Sequence, residues 1–250
     1  MFNFTLRTNE AEVDFEHCSK MNAPRTKGEA TRQHVLQTAL KLFRRRGFER
    51  TTMRDIAHAA GLSLGAAYHY FPSKEALIGA YYEWMQTEHE RLAHEHAVQS
   101  AAHANPDLRM RLTALLQTKL DLLRGDGKLL AALFGNLGDP SHPLSLLGKK
   151  TAALRKRSLA QFVEVFDDPS IPAELRELLG HALWLVHLAI FLYFIHDRSP
   201  QRVKTQRLVD GAIDLIASGA PLLGHPLAEP IRRRLLDLMA ELGPEQARNP

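Results

Sequence analysis

The chain has 250 residues, 45% hydrophobic and 24% charged, and Lys and Arg outnumber Asp and Glu by only 32 to 28. This composition is ordinary for a globular protein and supplies a real core, but the total charge selects no partner, so its distribution matters more. The one cysteine, Cys18, excludes a fold held by internal disulfides.

Residues 1–24 show no helical period and are expected to form an arm or upstream extension, Met21 offering a second start. They carry acids and no long apolar stretch, so no secretory signal is expected and the chain reads as cytoplasmic. From Arg25 to Arg50 the basic residues far outnumber the acids, which are Glu29 and Glu49 alone. This block is the place for a polyanionic partner.

The apolar period predicts a first helix over 31–46, closed by Gly47 with Phe48 as its hydrophobic partner. Thr52 with Asp55 three residues on predicts a capped second helix ending at Gly61. Ser63 caps a third over 64–71, and Pro72-Ser73 opens a long fourth to about Ser100. Helices are then expected over 106–124, 127–137 and 144–166. Further helices are expected over 173–197, from Ser199 with Pro200 in its first turn, and over 231–242. No strand-period segment and no fixed repeat occurs, so the fold class is all-α.

The second and third of these helices, separated by a turn at Gly61 with small Ala57 four residues earlier, have helix-turn-helix spacing. In that arrangement the second helix enters the DNA major groove. The segment "TTMRDIAHAAGLSLGAAYHYFPSKEALIGAYY" resembles the DNA-binding domain of the tetracycline-repressor (TetR) family of bacterial transcriptional regulators. The resemblance rests on Thr52, Asp55-Ile56-Ala57, Ala60-Gly61-Leu62-Ser63, Gly65, Tyr68, Tyr70-Phe71 and Ser73-Lys74-Glu75-Ala76-Leu77.

The resemblance implies a three-helix DNA-binding domain over 25–76 and a helical ligand-binding and dimerisation domain over 77–245. It implies a homodimer on near-palindromic double-stranded DNA, acting as a repressor released by a small-molecule effector; an activator, or a helical adaptor without DNA, is the alternative. In this reading the small residues Gly65 and Ala66 let the recognition helix approach the bases, and Leu64 belongs to the same DNA-binding set. Tyr68 and His69 reach phosphates or base edges. Thr52, Ser63 and Lys74 bind phosphate at helix N-termini. Arg25, Lys27 and Arg54 add phosphate or minor-groove contacts. Phe71 and Tyr70 are expected to pack inward.

His89, His96 and His103 repeat every seven residues on the fourth helix. Neighbours so spaced lie roughly 10 Å apart, too far to share a metal, so a solvated polar face is expected and no metal or cofactor is implied. The run Ala182–Ile195 is too short to span a bilayer and is expected to be buried in the protein or between subunits. His181 and His187 within it are expected to be buried. Phe134, Phe162, Phe166, Trp184, His187 and Phe191 are the candidates for an effector pocket, with core packing as the plain alternative. No phosphate-binding Gly-rich loop, zinc motif or nucleophile elbow is present, so no enzyme is expected.

Overall fold

The computed structural model describes residues 26–101, 106–134, 139, 141, 142, 145 and 147–242. The expected arm over 1–24, with Arg25, Cys18 and Met21, lies outside them, as does His103. Among the described residues the helices are α1 Lys27–Arg46, α2 Met53–Ala59, α3 Leu64–Tyr70, α4 Lys74–Ala101, α5 Leu108–Leu123, α6 Gly127–Phe134, α7 Ala152–Glu164, α8 Ala173–His196, α9 Val203–Gly219 and α10 Glu229–Leu242. Short 3₁₀ turns precede α7, α9 and α10.

Two compact units result. The first comprises the described residues up to Glu88 together with Leu120–Leu154. Its core joins Leu36, Leu40 and Phe43 of α1, Ile56 of α2, Ala67 of α3 and Leu77, Ile78 and Tyr81 of α4, all buried. α1 starts one turn earlier than its apolar period suggests. Thr26 caps it: the Thr26 hydroxyl accepts from Glu29 N at 3.1 Å and the Glu29 carboxylate accepts from Thr26 N at 3.0 Å. This first turn is solvent-facing and carries no apolar signal. Gly47 ends the helix at φ 87°, and Phe48 folds back on Phe43 with ring centroids 5.1 Å apart.

Asp126, between α5 and α6, is a carboxylate at only 2% exposure. Its two oxygens accept from Arg44 Nε of α1 and from Tyr81 OH of α4, the latter at 2.5 Å. Burial first, and then the Asp126 charge, pushes the Tyr81 hydroxyl well above its usual range. Three segments are thereby fixed by one side chain.

The second unit comprises the described residues within 89–119 and 155–242. Gly180 of α8 lies against Val163 of α7; a Cβ placed there would sit 2.7 Å from Val163 Cα, so only glycine permits this crossing. The helix expected over 144–166 is shorter: a 3₁₀ turn, Lys149–Thr151, leads into α7, and 143, 144 and 146 lie outside the described residues. α9 also begins later than the Ser199-Pro200 signal. Gln201 and Arg202 take positive φ of 51° and 55°, breaking the helix there. The cap falls to Asp197, whose Oδ2 accepts from Thr205 N at 2.9 Å and Thr205 Oγ1 at 2.7 Å and whose Oδ1 accepts from Ser199. The Ser199 hydroxyl, with Thr205, holds this carboxyl well below the usual carboxylate range.

α8 has 24 residues. It is long and apolar enough to cross a membrane by length and composition, so the shortness of its apolar run excludes nothing. Its two faces differ: Leu183, Trp184, His187, Leu188, Phe191 and Phe194 are buried, whereas Leu185, Leu192 and Tyr193 are exposed.

Replacing Asp126 by Ala leaves the Tyr81 hydroxyl and the Arg44 guanidinium without their shared acceptor, and a broken buried pair costs about 3–5 kcal/mol. The urea midpoint should fall accordingly, and Tyr81→Phe, which removes one neutral donor, should cost only about 1 kcal/mol. Equal midpoints for Asp126→Ala and wild type would remove the carboxylate from this role.

A candidate DNA-reading surface and a buried aromatic cluster

α2, the turn and α3 are built by local rules. The Thr52 hydroxyl accepts from Asp55 N at 3.1 Å, and Asp55 Oδ2 accepts from Thr52 N at 2.9 Å and from the Thr52 hydroxyl at 2.6 Å. The hydrogen bonds from Thr52 and the nearby Arg46 lower the Asp55 carboxyl. Gly61 turns the chain at φ 67°, a conformation that favours glycine, and Leu62 N donates back to Ala57 O at 2.9 Å. Ser63 then caps α3, accepting from Ala66 N at 3.1 Å.

α3 buries one side and presents the other. Ala67 is fully buried and Phe71, just past the helix, is 1% exposed, as expected for the inward residue. Tyr70 is half-buried and stands edge-on to His69 with ring centroids 5.3 Å apart. Ser63, Gly65, Tyr68 and His69 are exposed, and Leu64 and Ala66 are half-buried. A Cβ added at Gly65 would meet nothing within 4 Å, so the backbone there is open to close approach. Lys27, Thr52 and Arg54 are exposed. Lys74 is half-buried: its Nζ donates to Phe48 O at 2.9 Å and lies 4.3 Å from the centre of the Phe48 ring. Arg32 lies over the Phe71 ring at 4.6 Å. The surface is thus a short, side-chain-poor helix with flanking cations.

In the second unit Phe162, Phe166, Trp184, His187 and Phe191 are all buried. His187 stands among three of them, Phe162, Trp184 and Phe191. Its ring lies 4.6 Å from Phe162, 4.7 Å from Phe191 and 6.1 Å from Trp184, centroid to centroid, and its Nδ1–H donates to Trp184 O at 2.7 Å. Phe134 is buried too, but in the first unit. His181 is only half-buried and donates to Glu177 O within its own helix.

The polar-face expectation for α4 holds at exposed His96 but fails at His89, which is completely buried, and at Glu88, which is nearly so. His89 Nε2–H donates to Leu115 O of α5 at 2.9 Å. Its neighbour in charge is Lys119, also buried. Both could have been found: His89 continues the apolar series Ile78, Tyr82, Met85, and Lys119 interrupts the series Leu112, Leu115, Leu116, Leu123. Among the described residues no three His, Cys, Asp or Glu side chains could hold a metal.

Burial first and then Lys119 push His187 down to about 3 and His89 well below the usual imidazole range. Burial pushes Lys119 down to about 8, against the attraction of Glu90.

Comparison with known proteins finds matches for both the N-terminal and the C-terminal part of the chain. Residues 35–81 match the family described as bacterial regulatory proteins, tetR family, and residues 111–229 match the tetracyclin repressor-like C-terminal domain. An HTH-type transcriptional regulator of Mycobacterium tuberculosis is 29% identical over 208 residues, 82% of this chain and 96% of that protein. The probable acrEF/envCD operon repressor of Escherichia coli is 39% identical over 84 residues, 32% of this chain and 37% of that protein. The structure of a TetR-family regulator from Syntrophomonas wolfei superposes with a TM-score of 0.60 at 16% identity, covering 77% of this chain and 97% of the other. The chain belongs to the TetR family: it is a DNA-binding transcriptional regulator with an N-terminal helix-turn-helix.

The two depressed histidines set a pH dependence. Unfolded histidine titrates near pH 6.5; below that the unfolded chain binds protons that the buried rings refuse. The histidine contribution to stability is therefore full above about pH 6.5 and is lost as the pH drops towards 3, with each ring adding about 1.4 kcal/mol per pH unit to the slope. Urea unfolding of His187→Phe between about pH 6 and 4 should show a slope shallower than wild type by one proton. An unchanged slope would mean that His187 is charged in the folded protein.

Proposed function

We propose that the protein is a homodimeric, cytoplasmic, non-enzymatic repressor that leaves its operator when a small molecule binds its C-terminal region. Residues 25–76 read DNA and residues 77–245 hold effector and partner. The observation that carries this reading is α3 itself. Its outward side offers Gly65 for close backbone approach and Tyr68 and His69 as hydrogen-bonding groups, the pattern a major-groove helix needs. Leu64 and Ala66 flank the approach. Ser63 and Thr52 bring capped helix N-termini, where amides attract phosphate. Lys27 and Arg54 supply cations for the backbone.

Lys74 has two roles: its Nζ braces the Phe48 carbonyl and extends positive charge to the DNA side. Repression, rather than activation, is favoured by the operon repressor named above, which is 39% identical over 84 residues. We assign the effector to the second unit, at Phe162, Trp184 and Phe191 around His187, with buried Phe166 as a further apolar candidate.

The partner surface is the exposed face of α8 and α9. Leu185 and Leu192 on one helix, and Leu208 and Leu215 on the next, lie seven residues apart and are all exposed, Leu215 at 77%. Leucines so spaced pair helices side by side. A second copy applying the same face gives a two-fold four-helix bundle, which matches a near-palindromic operator.

The test is fluorescence anisotropy on the DNA upstream of the protein's own gene, with an unrelated duplex as competitor. Sequence-specific binding on the order of 10 nM is expected. Gly65→Ala adds a methyl group to open space, so it should leave the melting temperature at or above wild type while weakening operator binding about tenfold, or ~1.4 kcal/mol. Arg54→Ala should flatten the salt dependence by about one phosphate contact. Leu192→Glu with Leu215→Glu should sediment as a monomer and lose most operator affinity. Absence of DNA binding even at low salt would sink the reading.

A further inference from the structure

α3 has seven residues, and a helix so short owes its direction to packing rather than to its own propensity. Its front is fixed locally, by the Gly61 turn and the Ser63 cap. Farther along, its buried apolar anchors are Ala67 and, just past the helix, Phe71. Ala67 offers one methyl group, so the Phe71 ring is the main hold on the end that carries Tyr68 and His69. Phe71 N donates to Ala67 O at 3.0 Å, and the Phe71 backbone is extended at φ −140° and ψ 111°, as a residue before proline prefers. The ring is buried, yet Arg32 of α1 is exposed and its guanidinium carbon lies 4.6 Å from the ring centre. A solvent-side cation thus covers the ring. A second contact of the same kind has the roles exchanged. Lys74 Nζ lies 4.3 Å from the centre of the Phe48 ring and donates to Phe48 O, and Phe48 packs on Phe43 of α1. The first contact runs from α1 to the residue after α3, the second from the first residue of α4 to the segment after α1. Together they tie the link 71–73 to α1 at either end.

We propose that Arg32 is a positioning residue for DNA reading: its guanidinium, seated over the Phe71 ring, holds the end of α3 against α1 so that Tyr68 and His69 meet the bases, and Arg32 itself does not touch DNA. This rests on α3 as the reading helix. A guanidinium over a ring face is attracted by the ring's quadrupole, so the contact resists tilting of the ring and of the helix end attached to it. A brace and a phosphate ligand predict different losses. Phosphate contacts carry no sequence information, so removing one weakens binding to every duplex and lowers the salt dependence. Removing a brace misaligns the base-reading groups, so it costs affinity for the operator and leaves binding to unrelated DNA and the salt dependence in place.

The experiment measures anisotropy of the full chain on the operator and on an unrelated duplex, across a range of salt and at a temperature where every variant is folded. Arg32→Met keeps apolar cover over the ring and removes the cation. It should bind the operator about fivefold more weakly, with the unrelated duplex and the salt slope as in wild type. Arg32→Lys should recover most of the loss, since Lys74 already seats an ammonium over a ring in this fold. Phe71→Leu keeps apolar bulk and removes the ring face, so adding Arg32→Met to it should cost nothing further. If Phe71→Leu does not fold, the two Arg32 variants decide alone, because they change an exposed side chain. Equal losses on both duplexes, with the salt slope lower by about 0.9, would make Arg32 a phosphate ligand and overturn the brace. A lower melting temperature with wild-type operator affinity would make the contact structural only and overturn it too, as would an undiminished Arg32→Met effect in the Phe71→Leu background. Gly65→Ala separates this failure from that of the underlying reading. If Gly65→Ala weakens operator binding and Arg32→Met does not, the brace alone falls; if neither does, α3 as the reading helix falls and the brace with it.

Discussion

A polar side chain placed inside an apolar helix stripe must find a partner, and this chain answers that constraint in two opposite ways. In the first unit Asp126 is satisfied by Arg44 and Tyr81, and the result is rigidity: α1, α4 and the start of α6 are tied through one carboxylate. In the second unit His89 is held by the Leu115 carbonyl and by Gln161, whereas the buried indole N–H of Trp184 has no protein partner.

The DNA-reading unit was legible in the sequence because its determinants are local. Thr52 with Asp55, Gly61, and Ser63 with Ala66 are cap and turn rules acting over three or four residues, and each produced the geometry its spacing predicts. Even the missed first turn of α1 was local. Thr26 and Glu29 form a capping box, but the residues between carry no apolar period, and a reading led by hydrophobic spacing passed over it. The start of α9 failed for the converse reason. Ser199-Pro200 is a sound cap signal, yet Asp197 outbid it by taking Ser199 and Thr205 together.

The interior of the second unit was less legible because it is tertiary. Seven-residue spacing placed His89 and His96 on one face of α4 and could not say whether that face met water or α5. The continuous run Ile78, Tyr82, Met85, His89 carried the answer, since a fourth member of an apolar stripe is buried with the other three. Lys119 obeys the same rule within α5. Phe162 comes from α7 and Trp184 and Phe191 from α8, and whether such residues form core or site depends on the polar atoms among them, which no periodicity reveals.

These observations bear on how a small molecule could move DNA affinity at all. A ligand shifts an equilibrium only by its difference in affinity for two states, typically 1–3 kcal/mol of coupling. Each buried donor or acceptor left unmade disfavours the folded arrangement by about 1–3 kcal/mol. A molecule that pairs the buried indole N–H of Trp184 recovers such an amount only in conformations that keep that atom open to it, so the coupling it can exert is bounded by how differently two states present that one donor.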